Sequence, residues 1–349
     1  MWSVVTLHFV LPSECNISAN VAYWDSVCAR RQYLEPHFPQ LHPQTPWALP
    51  VAASLMHNPK AGGSTLKRIL RNLASAHNLT VCGVPAQYMY HIPVAATELT
   101  PAEQQACRIS FTTPGTTFEV ANLTRRPTIL LTTLRPPVDH YVSAYNYVCV
   151  CNVERRQAYD GACTESTTFE QAGIRVAWEV IDLLLNGNQS ILHECVEIAT
   201  SLGGTAEQQL EDTVLQMLTD RLSLPCISTI PTYEIDAYLP LLRHRWQPYG
   251  LSDVKPIKAS NTFTEDRCPA SQRHWLQDKK SEVTLQRLSA VANQSLPMRV
   301  HDRLWQWFQA NGRDLWGNNS APCMISMAPA EHNWHDHSGH DHNHRVHYL

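Results

Sequence analysis

Apolar residues in this chain fall into two alternating kinds of stretch, short uninterrupted runs and longer segments with helical spacing. The run Val51-Ala-Ala-Ser-Leu-Met56 predicts a buried strand, a polar stretch follows, and Leu66, Ile69, Leu70 and Leu73 place a helix over 65–76. A second unit starts with the β-rich run 128–134, flanked by Pro127 and by Pro136-Pro137, and continues into a helix over 138–148, whose start suits prolines. Further helices are expected at 168–185, 206–222, 234–246, 279–292 and 297–310, with another short buried strand at 226–230. Strands alternating with helices predict an α/β fold, a mostly parallel sheet covered by helices on both faces. No internal repeat is visible at solenoid periods.

The flanks differ from this pattern. Residues 34–50 hold five prolines, which exclude long helices and central strands. Segment 1–49 therefore reads as an N-terminal lead-in, 50–312 as the main domain and 313–349 as a flexible tail. Met1–Leu11 has the length of a signal-peptide apolar core, but it lacks a basic start and a small-x-small cleavage site, so it reads as a degenerate signal segment. No run reaches the roughly 20 apolar residues of a spanning helix. The tail concentrates seven histidines over 331–349; it can bind divalent metals loosely, yet no fixed ligand geometry follows, and no metal is expected in the main domain.

Composition narrows the setting. The 349 residues are 44% hydrophobic, enough for a substantial core, and the net charge of −4 provides no general basic field for nucleic acid. Eleven cysteines, scattered and without paired CxxC spacing, favour disulfides over a zinc site. Six N-x-S/T triplets, at Asn16, Asn78, Asn122, Asn188, Asn293 and Asn318, point to the same secretory compartment.

The chemistry concentrates where the first strand meets its helix, in Asn58-Pro-Lys-Ala-Gly-Gly-Ser-Thr-Leu66. Free backbone N–H groups at a helix start stabilise an anion, and Gly62 and Gly63 allow close approach. In the P-loop of nucleoside triphosphatases the lysine follows the glycines, whereas here Lys60 precedes them. The second strand ends in Arg135 where a Walker-type strand offers an aspartate, and arginine binds phosphate without a metal. Ser143 lies roughly two helical turns beyond Arg135 and could reach the same phosphate. Two anion sites on neighbouring strands suit a nucleotide with phosphates at both ends.

"NPKAGGSTL" resembles the 5′-phosphosulfate loop of sulfotransferases, and "TTLRPPVDHYVSAYNYV" resembles their 3′-phosphate loop. Within that superfamily the chain is most similar to heparan sulfate 6-O-sulfotransferases and related membrane-bound Golgi carbohydrate sulfotransferases. "CTESTTFEQAG", "NGNQSIL", "ISTIPTYEIDAYLPLLRHRW", "ASNTF" and "VANQSLPMRVHDRLWQWFQAN" resemble later segments of the same family, so the likeness spans about 50–312. It implies a P-loop-like sulfotransferase fold and the co-substrate 3′-phosphoadenosine 5′-phosphosulfate (PAPS), with no metal required. Lys60, Ala61, Gly62, Gly63, Ser64 and Thr65 would hold the 5′-phosphosulfate, Arg135 and Ser143 the 3′-phosphate, Asn261 and Thr262 the nucleotide, and Gln189 the acceptor. His140 stands where the relatives often carry a basic residue, although such a residue near a helix start can simply face solvent.

Sulfuryl transfer is an in-line displacement in which charge grows on the bridging oxygen, and Lys60 is placed to neutralise it. The acceptor hydroxyl needs a base; His91, 31 residues after Lys60 and before Thr97-Glu98-Leu99, lies at a point comparable to the catalytic histidine of the family, although its spacing to that run differs, with His57, His77 and Glu98 as rivals. The expected reaction is transfer to a carbohydrate hydroxyl in the Golgi lumen or at its membrane. Transfer to protein tyrosine stays open, as does a non-catalytic nucleotide-binding or metal-binding secretory protein; no nucleic-acid partner is expected, and oligomeric state is left open.

Overall fold

The computed structural model describes residues 14–44, 46, 50–82, 100, 102, 106–112, 125–145, 167–185, 189–256, 295–317 and 320–326. The strands are β1 (Gln40–Pro43), β2 (Ala52–Met56), β3 (Thr80–Cys82), β4 (Cys107–Thr112), β5 (Thr128–Leu134), β6 (Ile227–Pro231) and β7 (Cys323–Ser326). The α-helices are α1 (Glu14–Tyr23), α2 (Arg31–Leu34), α3 (Gly63–Ala76), α4 (Pro137–Tyr145), α5 (Thr167–Leu185), α6 (Gln189–Leu202), α7 (Gly204–Leu222), α8 (Ile235–Trp246) and α9 (Leu296–Asn311).

The result is an α/β fold on a mixed, mostly parallel sheet. Strands β3, β4, β2, β5 and β6 lie side by side in that order, all parallel. Strand β7 runs antiparallel to β1 and meets β5 at Thr128↔Cys323. Strands β2, β5 and β6 are buried at every residue, as parallel strands covered on both faces must be. Their side chains divide by the two-residue period. Ala53, Leu55, Ile129 and Leu131 join α3 and α8 in one core, whereas Met56, Leu130 and Leu134 join α5, α6, α7 and α9 in the other.

The expected helices 168–185, 206–222, 234–246 and 297–310 correspond to α5, α7, α8 and α9, while 279–292 lies outside the described residues. The folded body also reaches outside 50–312 at both ends. Within the proline-rich lead-in, β1 forms at the sheet edge, where a strand tolerates Pro43. Residues 323–326, within the segment expected to be a flexible tail, form β7. Both flanks are tied to the body by Cys28–Cys195 and Cys226–Cys323, whose Cα atoms are 5.5 and 5.6 Å apart. A third disulfide, Cys82–Cys107, joins β3 to β4. Three disulfides among the described residues are what an oxidising, secretory or extracellular setting allows. Among the described residues no helix is long and apolar enough to cross a membrane.

Candidate functional site

The chain leaves β2 through α3 toward β3 on one side, and leaves β5 toward β6 on the other. Adjacent parallel strands with opposite exits open a crevice at their carboxyl ends, the usual ligand position in such sheets. The loop 57–62 and Arg135 both sit at that crevice, because each directly follows one of the two strands.

Three side chains from three elements fasten three successive carbonyls of the loop. His140 on α4 donates from Nε2 to the Pro59 carbonyl at 2.6 Å. Arg135 Nη1 donates to the Lys60 carbonyl at 2.8 Å. The Thr232 hydroxyl lies 2.9 Å from the Ala61 carbonyl and 2.9 Å from that of Leu134, bridging the loop to the end of β5. Buried Asn58 adds a 3.0 Å bond from Nδ2 to the Thr133 carbonyl. The path requires left-handed backbone at Lys60 (φ 61°) and Gly62 (φ 84°).

With those carbonyls engaged, the loop offers a ligand the start of α3, where helix geometry leaves the first N–H groups without an intrahelical acceptor. Among the described residues no side chain caps that end, and its first turn carries no acidic residue. Both conditions favour an anion. Gly63 has a packing reason besides close approach: a Cβ there would lie 2.0 Å from His57 Cδ2.

The electrostatics are cationic. Burial, then Lys67 and Lys60, hold the His57 imidazole neutral, its pKa lowered to about 3. Burial and the neighbouring Arg71 lower Lys67 to about 8. His140 is lowered to about 3, chiefly by burial, with Arg135 and Lys60 adding to the effect. Arg135 also donates from Nη2 to the Tyr233 hydroxyl at 3.2 Å, and Tyr233 in turn donates to Asp139 Oδ2 at 2.9 Å. Its Nε is buried with no hydrogen-bond partner among the described residues.

Of the residues singled out from sequence, Lys60, Ala61, Gly62, Gly63, Ser64, Thr65 and Arg135 come together here. Ser143 sits half-buried on α4, the helix that Arg135 leads into. Gln189, expected to contact the acceptor, is the first residue of α6. His91, Glu98, Asn261 and Thr262 lie outside the described residues. His77 is at the far end of α3, roughly 20 Å along the helix axis from Gly63, with Asp253 at 3.9 Å; it is too distant to act as the base. His140 faces the interior, fully buried, rather than solvent.

Sequence reasoning missed Lys67, Tyr233 and Thr232. A signal existed for Lys67, which lies four residues after Gly63 and hence on the same face of α3. Tyr233 and Thr232 reach the site only because β6 ends beside β5. Among the described residues no group of three or more His, Cys, Asp or Glu could hold a metal. Comparison with models of known protein families and with curated proteins returns no match.

Proposed function

We propose that this chain is a PAPS-dependent sulfotransferase of the secretory pathway, with a P-loop-like fold, that moves a sulfuryl group to a hydroxyl of a glycan. The observation that carries this reading is the 2.8 Å bond from Arg135 to the Lys60 carbonyl, which joins the two loops resembling 5′-phosphosulfate and 3′-phosphate sites in one crevice. The unpartnered Arg135 Nε and the uncapped start of α3 fit a ligand with two anionic ends. The three disulfides suit the compartment.

The donor supplies an already activated sulfuryl group, so the chain has to position and to stabilise charge. At the first turn of α3 the backbone N–H groups of Gly63 and Ser64 hold the 5′ end, beside Thr65, whose own N–H also donates to the Gly62 carbonyl at 3.0 Å. Arg135 and Ser143 hold the 3′-phosphate, and Asn261 and Thr262 add nucleotide contacts. Lys60 neutralises the charge that grows on the bridging oxygen as the bond to sulfur breaks. The acceptor, contacted by Gln189, gives its hydroxyl proton to His91. His57 is a weaker candidate for that step, since an imidazole with a pKa of about 3 is a poor proton acceptor near neutral pH.

The test is transfer of labelled sulfate from PAPS to a panel of polysaccharides, with adenosine 3′,5′-bisphosphate as inhibitor. Inhibitable transfer supports the proposal, whereas no transfer together with no bisphosphate binding refutes it. Sulfotyrosine in place of sulfated sugar would keep the reaction and change the acceptor.

A further inference from the structure

We infer that His57 takes up a proton when an anion settles at the start of α3, so that nucleotide binding and protonation of this imidazole are a single coupled event. The inference rests on the anion-site reading of the loop and adds a regulation by pH to it.

The geometry comes first. The edge of the His57 ring is packed on Gly63, the first residue of α3: a Cβ at Gly63 would lie 2.0 Å from Cδ2, 2.6 Å from Nε2 and 3.2 Å from Cγ. The imidazole therefore borders the place where an anion would meet the first N–H groups of the helix. From α3 the charged group acting on it is Lys67, one turn beyond Gly63 on the same face; from the loop it is Lys60. Arg71 stands next along the helix and acts on Lys67. The first turn of α3 brings no carboxylate.

Every one of these neighbours opposes a charge on His57. The helix start carries partial positive charge, both lysines are cations, and burial penalises the ion. A dianion at the same place reverses the balance, because an opposite charge within a few ångströms favours the protonated imidazole. A neutral ring thus avoids a third cation against the helix end, while a protonated ring adds a donor to the ligand. No bond other than N–H forms or breaks, and the proton comes from solvent.

The consequence is a linkage between affinity and pH. If His57 binds about one proton with the ligand, affinity strengthens by up to about tenfold per pH unit as pH falls below the bound-state pKa, until the free-state imidazole itself begins to protonate. The full chain is titrated calorimetrically at pH 7 with adenosine 3′,5′-bisphosphate, in buffers of different ionisation heat, alongside His57→Gln. The phosphates' own proton exchange is common to both proteins and cancels in the difference. The expected result is that wild type takes up more protons than His57→Gln, by about half a proton or more, and that the substitution removes the steep pH dependence. Imidazole resonances of the wild type, recorded with and without the bisphosphate, give the same answer without a substitution: one moves into the protonated range on binding. Binding with equal proton uptake in both proteins, or with no imidazole shift, overturns the inference and leaves the nucleotide site standing. No binding of the bisphosphate at all overturns both.

Discussion

Arg135 and Lys60, 75 residues apart in sequence, are joined by a 2.8 Å hydrogen bond from the guanidinium Nη1 to the Lys60 carbonyl. The bond uses one arm of the guanidinium to shape the loop, while Nη2 meets Tyr233 and Nε is left buried with no partner among the described residues. Lysine cannot reproduce that fork. Arg135→Lys is expected to weaken adenosine 3′,5′-bisphosphate binding by about 10- to 100-fold, the range of one lost charge-assisted bond. Equilibrium binding of the purified variant measures it.

The Lys60 carbonyl ties the loop to Arg135 at the end of β5, and in the proposed reaction the Lys60 side chain neutralises the leaving oxygen. Lys60→Ala should therefore keep the fold and the Arg135 contact while lowering turnover by about 100- to 1,000-fold, the usual cost of one transition-state charge stabiliser. The split between kcat and bisphosphate affinity checks this, since the loss should fall mainly on kcat.

Gly63 has no room for a side chain. A Cβ would lie 2.0 Å from the His57 ring, so either the ring or the start of α3 must move. Gly63→Ala is expected to abolish measurable nucleotide binding and to lower the thermal midpoint. Gly203, around which nothing lies within 4 Å of a new Cβ, provides a contrast: its φ of 87° makes Gly203→Ala strained, but it should leave nucleotide binding intact.

Acid should destabilise the protein through its buried histidines. His140 and His301 are 0% and 1% exposed, their rings 5.7 Å apart, and burial is the first cause that depresses both below the ordinary imidazole value. A depressed folded-state pKa means that the unfolded chain binds more protons below about pH 6.5, so stability is full above that value and falls as pH drops. The expected loss at pH 5.5 is about 1.4 kcal/mol from His140, with His301 adding in the same direction. Denaturant midpoints at pH 7.5 and 5.5 measure it, and His140→Phe should remove part of the slope.

Much of this fold is legible in the sequence because its central strands are buried on both faces. The short apolar and β-rich runs 51–56, 128–134 and 226–230, broken only by small hydroxyl residues, read as strands buried on both faces. Strand β3, only three residues long with two of them exposed, leaves no such trace, and β7 is defined by its partner β1 and by Cys226–Cys323. Helix α6 is legible in principle, since Ile191, Leu192, Cys195, Ile198 and Ala199 are buried at helical spacing; the sequon at Asn188 and the family likeness both fall on its polar start instead. At the site, the loop residues and Arg135 show themselves by type and order. The contacts of His140 with Pro59 and of Thr232 with Ala61 do not, because they depend on how β5, α4 and β6 end side by side.

The central claim, that an anhydride to sulfate is broken at Lys60, is tested most directly by mass spectrometry of the product formed from isotopically labelled PAPS and a mixed extract of glycans and proteins. The account predicts labelled sulfate on sugar hydroxyls, blocked by adenosine 3′,5′-bisphosphate and absent with Lys60→Ala. Label that reaches no acceptor, or reaches it equally with Lys60→Ala, would contradict it.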